Sequence, residues 1–338
     1  MRKRNFRFFV IGFSFLLVIG IFWWYEYIKY QKYTSSSFLM GTISTWKSEE
    51  YPIGKRFILL NPNDVSDYVE FDFSSVKKIV GAKYIDSILF DGTGFYVLVT
   101  ESGKTGVMKL FYVSPVDIVS MAEGLACPKW AFSGFIKSTN TLFLKLGQNL
   151  YEIDDRTKSL CKVKDFGTNE VRVYPYRNGI VYQSGDEVRF YSESGDTVLF
   201  LLPDDARFAG WYDVGKSVFV EMPHRETYLL DLATGTLNLF SKFAYGNFGN
   251  CKNGVLLMMW PKGGGGATPL DVDYTWSCLL GNDVLTAFTI SIYNIDTGRI
   301  QNFYYSDGTL DSDWLDIPYD KNRFEEIKRK MREQGLLD

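Results

Sequence analysis

The feature that most constrains this chain is an aromatic residue that returns at a nearly constant spacing, followed each time by an acidic or polar turn. These residues are Tyr112, Tyr151, Phe190, Tyr228 and Tyr293. The first three intervals are 39, 39 and 38 positions, and the last is 65 positions. Residues 261–287 contain four consecutive glycines and show no strand-like alternation, and removing these 27 residues restores the period. The sequence therefore predicts a repeat protein with one insertion.

Each periodic aromatic residue begins a predicted β-hairpin. In the clearest unit, residues 228–231 run into a Thr-Gly turn, and the chain resumes as a second strand at residues 236–240. Asp and Gly adopt turn conformations that bulkier residues resist. Further β-rich segments precede each hairpin, so that each unit of about 40 residues holds four strands, a pattern typical of a propeller blade.

The Tyr-x-x-Asp-x-x-Thr-Gly hairpin, complete at residues 228–235, resembles those of β-propellers of the TolB-like or quinoprotein-like kind, which have six or seven blades. The resemblance covers residues 85–305 and implies an all-β propeller without a particular activity. A degenerate unit at residues 38–73 brings the predicted number of blades to six. A seventh blade stays open, because residues 114–128 and 314–317 are unassigned. A β-sandwich or a pair of smaller β domains is the alternative fold, but sandwiches do not repeat at this period.

The N-terminus carries a second strong signal. Residues 1–7 include four basic side chains, and residues 8–25 form an uncharged run of 18 residues, long enough to cross a bilayer as a helix. Basic residues ahead of the run favour a cytoplasmic N-terminus, and Trp23, Trp24 and Tyr25 suit the far interface. The exit side offers no small-residue cleavage site, so an uncleaved anchor is predicted, with a cleavable signal peptide as the alternative.

The predicted chain therefore has five parts. They are a cytoplasmic basic segment at 1–7, a transmembrane signal anchor at 8–25, a stalk at 26–37, a propeller at 38–317 with its insertion at 261–287, and an amphipathic helix at 318–338. The helix prediction rests on Asp320 as its cap and on Phe324, Ile327 and Met331 at helical spacing. We expect this helix to lie on the propeller. Its mixed charges argue against a membrane-surface or partner-binding role.

Catalytic chemistry finds little support in the sequence. His224 is the sole histidine, it lies in a predicted turn, and no Gly-x-Ser-x-Gly motif is present. The sequence therefore predicts no catalytic residue, no metal site and no cofactor. The alternative is a membrane-tethered carbohydrate-active enzyme with paired carboxylates in the propeller cavity. Its candidate carboxylates are Asp91, Asp213, Asp271 and Asp273, whose positions near turns favour backbone capping instead.

Binding is the favoured function, and the insertion is its predicted site. The candidate ligand-binding residues are Trp260, Asp271, Asp273, Tyr274 and Trp276. Large amphipathic rings beside carboxylates suit stacking against a sugar ring or gripping a peptide side chain. A net charge of −3 and the lack of a basic stripe argue against nucleic acid. The predicted partners are the membrane, through the anchor, and a protein or glycan of the cell envelope.

Two further predictions concern the cysteines and the compartment. In an oxidising compartment Cys251 and Cys278 could form a disulfide at the base of the insertion; the other expectation is buried thiols, with Cys161 on a strand. The chain contains no Asn-x-Ser/Thr sequon, which fits a bacterial envelope. The sequence thus predicts a single-pass protein of the bacterial plasma membrane whose extracytoplasmic propeller acts as a non-catalytic scaffold or sensor.

Overall fold

The structure is a computed structural model of the 338-residue chain. The residues that it describes are 20, 38–44, 56–101, 106–127, 133–168, 171–213, 215–224, 226–241, 248–252, 255–261, 288–294, 300–305, 309–315 and 317–338. Among them, no helix is both long enough and apolar enough to span a bilayer. The predicted anchor at residues 8–25 lies outside the described residues, apart from Gly20.

The described part of the chain is built almost entirely of short strands. In chain order they are β1 (Phe38–Ser44), β2 (Arg56–Asn61), β3 (Asp64–Asp72), β4 (Ala82–Phe90), β5 (Phe95–Glu101), β6 (Val107–Val113), β7 (Ile118–Ala126), β8 (Ser133–Lys137), β9 (Leu142–Leu146), β10 (Asn149–Asp154), β11 (Ser159–Asp165), β12 (Val173–Tyr176), β13 (Gly179–Ser184), β14 (Glu187–Ser192), β15 (Gly195–Leu201), β16 (Arg207–Asp213), β17 (Ser217–Glu221), β18 (Thr227–Asp231), β19 (Leu237–Ser241), β20 (Phe248–Lys252), β21 (Val255–Pro261), β22 (Phe288–Asn294), β23 (Ile300–Tyr305) and β24 (Thr309–Leu315). Helix α1 (Ser74–Val80) follows β3, and helix α2 (Lys321–Glu333) follows β24.

The strands pair in groups of four. Strands β4 to β7 form the second sheet, β8 to β11 the third and β12 to β15 the fourth, each with antiparallel neighbours. The fifth sheet has eight strands in the order β19-β18-β17-β16-β20-β21-β22-β23. Among the described residues, its two antiparallel halves are paired through Asp213 and Cys251, which lie on parallel strands.

The first sheet contains both the first and the last strand of the described chain. Its order is β24-β1-β2-β3, and β24 pairs antiparallel with β1 from Phe38 opposite Leu315 to Ser44 opposite Thr309. Residues 314 and 315, which the sequence left unassigned, belong to β24. The other unassigned stretch, residues 114–128, supplies β7 as the fourth strand of the second sheet. Both segments therefore complete sheets that already contain three strands.

The periodic hairpins are present as predicted. All five periodic aromatic residues lie on the third strand of their four-strand group, namely on β6, β10, β14, β18 and β22. The turn chemistry agrees as well, since Asp231 Oδ1 accepts hydrogen bonds from the backbone N–H groups of Ala233 at 2.9 Å and Thr234 at 2.8 Å. The repeat of the aromatic residues in the sequence thus matches the repeat of the four-strand groups in the structure.

Successive sheets pack against one another along the chain. Strand β4 contacts β8, β8 contacts β12, β13 contacts β16, and β20 contacts β24. An aromatic cluster fills the joint between the first and second sheets, where the ring centroid of Phe95 lies 5.3 Å from Phe57, 4.9 Å from Phe71 and 5.0 Å from Phe73. Because β24 returns to β1, the succession of sheets closes on itself.

The C-terminal residues 317–338, here called the clasp, bind the first and second sheets from outside. Asp320 accepts a hydrogen bond from the Arg323 backbone N–H, and Phe324, Ile327 and Met331 are buried. The Phe324 ring packs edge-on against Phe90 of the second sheet, with 5.6 Å between centroids. On the first sheet, a single carboxylate, Asp67, accepts from Tyr319 Oη at 3.2 Å and from Lys321 Nζ at 2.7 Å. The predicted cap and apolar face of the helix are both observed.

Candidate functional site

The predicted ligand-binding loop lies mostly outside the described residues. Trp260 is a backbone position on β21, paired with Thr289, and Asp213 and Cys251 are backbone positions of the fifth sheet. The others fall outside the described ranges: Asp271, Asp273, Tyr274, Trp276 and Cys278. The binding site and the Cys251–Cys278 disulfide therefore remain predictions.

Asp91 is the candidate carboxylate whose side chain the structure does describe, and it caps a turn. Its Oδ1 accepts from Thr93 N at 2.7 Å, Thr93 Oγ1 at 2.8 Å and Gly94 N at 2.8 Å. Its Oδ2 accepts from Tyr112 Oη at 2.8 Å. These four hydrogen bonds fix the carboxylate in the role that the sequence favoured for it, as a backbone cap.

The side chains of His224, Cys127 and Cys161 differ in their exposure to solvent. His224 is exposed in the turn between β17 and β18, as predicted. Cys127 is buried after β7, but Cys161 is exposed on β11. The expectation of buried thiols is therefore correct for Cys127 and wrong for Cys161, because β11 is the outermost strand of the third sheet and leaves the Cys161 side chain uncovered.

A polar contact joins the turn after β10 to the second sheet. The Lys158 ammonium lies 3.6 Å from the Tyr112 ring centroid and donates to Tyr96 Oη at 3.0 Å. The Tyr96 hydroxyl in turn donates to the Asp155 carboxylate. Burial, reinforced by that carboxylate, holds the pKa of Tyr96 well above its usual range. The hydroxyl therefore stays protonated and serves as a donor across the joint between the two sheets.

The joint between the third and fourth sheets repeats this chemistry. Lys164 Nζ lies 2.6 Å from Asp196 Oδ2, the Tyr182 hydroxyl donates to the same oxygen at 2.6 Å, and Arg189 Nε lies 3.2 Å from Asp196 Oδ1. The Lys164 ammonium also lies 5.4 Å from the Tyr191 ring centroid. In both joints a lysine on the third sheet, a tyrosine and a carboxylate hold neighbouring sheets together.

A further group of ionisable side chains comes from the second sheet and from β9 of the third sheet. Asp86 belongs to β4 and sits in a bulge, because Ile85 pairs with Val99 while Ser87 already pairs with Leu98. A bulge re-aims the side chain of the extra residue. The Thr100 hydroxyl donates to Asp86 Oδ2, yet burial raises the pKa of Asp86 to about 6.

Lys145 and Cys127 complete this group, which we call the ionisable group (Asp86, Cys127 and Lys145). Lys145 on β9 is 0% exposed, its Nζ donates to Gly147 O at 2.6 Å, and burial lowers its pKa to about 8. The Lys145 ammonium also lies 5.7 Å from the Phe166 ring centroid. Burial, followed by the nearby Asp86 carboxylate, raises the pKa of the Cys127 thiol.

The ionisable group was not predicted from the sequence. Lys145 stands between Leu144 and Leu146 on a predicted strand, and a charge inside an apolar strand is the signal that could have found it. Chemically, the group can gain and lose protons near neutral pH. Within the described ranges, no cluster of three or more metal-ligating side chains occurs.

Comparison with known proteins gives the fold. No protein-family model matches the chain, and no curated protein matches its sequence. TolB from Acinetobacter baumannii is similar in structure, with a TM-score of 0.51 and 11% identity over 83% of this chain and 67% of that chain. Together with the successive four-strand groups, this similarity shows that the chain is a β-propeller repeat protein.

Two further solved structures are more distant. The β-propeller domain of the Trilobed protease from Pyrococcus furiosus matches with a TM-score of 0.46 and 9% identity over 79% of this chain and 82% of that one. PorZ, a surface component of the type-IX secretion system of Porphyromonas gingivalis, matches with a TM-score of 0.33 and 13% identity over 75% of this chain and 32% of that one.

Proposed function

We propose that this protein is a single-pass protein of the bacterial plasma membrane whose extracytoplasmic propeller binds a protein or glycan as a non-catalytic scaffold or sensor. The propeller has six blades in this proposal. Four-strand groups support that number: β24 with β1 to β3, β4 to β7, β8 to β11, β12 to β15, β16 to β19, and β20 to β23. The eight-stranded sheet then counts as two blades joined by a single parallel pair.

The observation that supports the binding role is that paired strands anchor the two ends of the insertion. Strand β21 ends at Pro261 and β22 begins at Phe288, and these two residues pair with each other. The 26 residues between them, 262–287, therefore leave and re-enter the sheet at one point of a rigid hairpin. Loops held by a rigid scaffold are where binding residues concentrate, and loops of this length are usually either functional elements or linkers. Trp260 is the penultimate residue of β21 and sits at the base of this loop.

The anchored topology is tested with reporter fusions. Alkaline phosphatase, which is active only outside the cytoplasm, is fused after residue 338 of the chain, and a second fusion lacks residues 8–25. We expect activity from the first fusion, with the protein sedimenting with membranes, and loss of both from the second. Activity released into the soluble envelope fraction would instead support a cleaved signal peptide.

The binding role is tested by crosslinking in the native membrane. The full chain is compared with a variant in which residues 262–287 are replaced by Asn-Gly, and with the double variant Trp260→Ala, Trp276→Ala. We expect one reproducible partner or glycan crosslink with the full chain and none with either variant. The matched control lengthens the exposed Gly185-Asp186 turn and should keep the crosslink.

The same preparations distinguish binding from carbohydrate hydrolysis. A fluorescently labelled glycan that binds is recovered intact if the protein is a binding module. Shortening of that glycan by the full chain, abolished by Asp271→Asn or Asp273→Asn, would contradict the proposal and establish the enzyme instead.

A further inference from the structure

The chain enters the propeller and the insertion leaves it at opposite ends of equivalent strands. Strands β1 and β21 each stand second in their four-strand group. The chain enters β1 at Phe38, which pairs with Leu315 at the end of β24. The insertion instead leaves at Pro261, the last residue of β21, and returns at Phe288. First strands of neighbouring groups run in the same direction, as β16 and β20 show where they pair, so β1 and β21 also run in the same direction.

We propose that the propeller turns one face toward the plasma membrane and the opposite face, from which the insertion emerges, away from it. This orientation rests on the N-terminal anchor of the proposed function. The face turned toward the membrane is the one at which β1 begins, here called the entry face. The opposite one is called the insertion face. A partner bound by the insertion then approaches from beyond the propeller, and not from the surface of the lipid bilayer.

Contacts between turns define the entry face. Just after β24, Ile317 lies beside the turn between β4 and β5, since a Cβ placed on Gly92 would be 3.5 Å from the Ile317 Cδ1 atom. The Arg323 guanidinium donates to Gly92 O in the same turn. In the third sheet, Lys158 Nζ of the turn between β10 and β11 lies 3.9 Å from Asp91 Oδ2. The turn after a first strand and the turn after a third strand therefore share the face at which the chain enters.

The insertion face carries the turns at the other ends of these strands. The third strands β10 and β14 end at the entry face, so each begins at the insertion face. One exposed residue on each face flanks each strand: Gln148 and Arg156 for β10, and Asp186 and Glu193 for β14. With six residues in each strand, the two faces lie about 20 Å apart at a rise of roughly 3.3 Å per residue.

The length of the stalk favours this orientation. Twelve residues, 26–37, separate the predicted anchor from β1. Twelve residues span about 18 Å as a helix and about 20 Å on average as a flexible chain. To lay the insertion face on the bilayer, the stalk would have to pass round β2 and β3, which takes about 10 Å, and then follow the height of a strand, about 20 Å. Because this path of about 30 Å exceeds both spans, the entry face is the one that stays near the membrane.

The orientation is measured by energy transfer in nanodiscs. The full chain, with its four cysteines replaced by alanine, is labelled with a donor dye at a single new cysteine, and the nanodisc lipids carry an acceptor dye on their headgroups. Arg156→Cys and Glu193→Cys place the donor on the entry face, whereas Gln148→Cys and Asp186→Cys place it on the insertion face. Each pair flanks a single strand, so its two members report the two faces of the same sheet.

We expect stronger energy transfer from the entry-face site of both pairs, with the donor closer to the headgroups by about 20 Å. The matched variant carries a longer stalk, with 40 Gly and Ser residues inserted after residue 37. A flexible stalk of that length spans about 40 Å on average and lets either face approach the bilayer. The difference within each pair should therefore shrink in this variant while the chain stays bound to the nanodisc.

Failure of the orientation and failure of the anchor give different results. A chain that does not remain with the nanodiscs would overturn the proposed anchor, and the orientation with it. A chain that remains bound but transfers energy equally from both faces, or more strongly from the insertion face, would overturn the orientation alone. Circular dichroism checks that each labelled variant keeps its fold, and the second pair decides the outcome if a variant of the first is unfolded.

Discussion

At the scale of single residues, aspartates at three of the turns between strands work as backbone caps. Asp91, Asp154 and Asp231 each accept hydrogen bonds from the backbone N–H groups two and three positions further along. Short acidic side chains suit this role because they satisfy turn donors that the sheet cannot reach. Part of the repeat in the sequence is therefore a repeated pattern of hydrogen bonds in the turns.

Replacing Asp91 should measure the strength of one cap. Asp91→Ala removes the acceptor for two backbone groups and two hydroxyls, so we expect the free energy of unfolding to fall by about 1–2 kcal/mol. Urea denaturation followed by circular dichroism measures the change. Asp204→Ala, at an exposed turn, is the control and should change stability by less than about 0.5 kcal/mol. Equal effects from the two substitutions would show that the Asp91 cap contributes nothing beyond an ordinary surface aspartate.

Gly235 tests the contact between a turn and the neighbouring sheet. Its φ is +73°, and a Cβ placed there would lie 2.5 Å from Cδ1 of Phe200 on the fourth sheet. Gly235→Ala should therefore cost about 2–4 kcal/mol, from left-handed strain and overpacking together. Gly185→Ala is the matched control, since φ there is +63° with no atom within 4 Å of the added carbon, so only the strain of about 1 kcal/mol remains. Equal losses in thermal unfolding would rule out the ring contact.

At the scale of elements, the hairpins and second strands were predictable, because apolar alternation bounded by Gly and Asp marks them directly. Strand β7 was not, since Ile118–Ala126 is mostly solvent-facing and mixes small and acidic residues. Helix α1 escaped prediction because its seven residues offer no full apolar repeat and no side-chain cap. The ionisable group was missed for a different reason: its residues come from β4, β9 and the β7–β8 connection, which no local pattern relates.

We expect the buried apolar face of helix α2 to be what holds the helix on the sheets. Phe324 is 0% exposed and touches the rings of Phe90 and Tyr319, each at 5.6 Å between centroids. Phe324→Ala should lower the free energy of unfolding by about 3–5 kcal/mol through lost burial and the resulting cavity. The exposed face pairs its own charges, for example Lys330 with Glu326 at 2.8 Å, so the control Glu326→Ala should cost under about 0.5 kcal/mol. A small loss for Phe324→Ala would mean that the clasp is only loosely held.

At the scale of the whole molecule, the fold depends on two contacts made by the C-terminal region. Strand β24 completes the first sheet by pairing with β1, and the clasp then ties that sheet to the second one. The first contact closes the ring by backbone hydrogen bonds, whereas the second reinforces one joint by burying side chains. The two contacts should therefore respond differently to truncation.

Two truncations separate these contributions. Removing residues 318–338 leaves β24 in place, so we expect a cooperative thermal transition at a lower temperature. Removing residues 309–338 also leaves the β1 edge unpaired, and we expect loss of the cooperative transition together with aggregation. Scanning calorimetry and light scattering measure both outcomes. Similar transitions from the two truncated chains would show that pairing between β24 and β1 is dispensable.

Closure through β24 also has a consequence for biosynthesis. The ribosome makes β1 among the first of these strands and β24 last, so the nascent chain carries an incomplete first blade until nearly all of the protein has emerged. Throughout that interval β1 presents unsatisfied main-chain groups to other chains and to proteases. Slow translation or stalling before residue 309 should therefore expose the nascent chain most to aggregation and proteolysis. This is the stage at which a chaperone would protect it best.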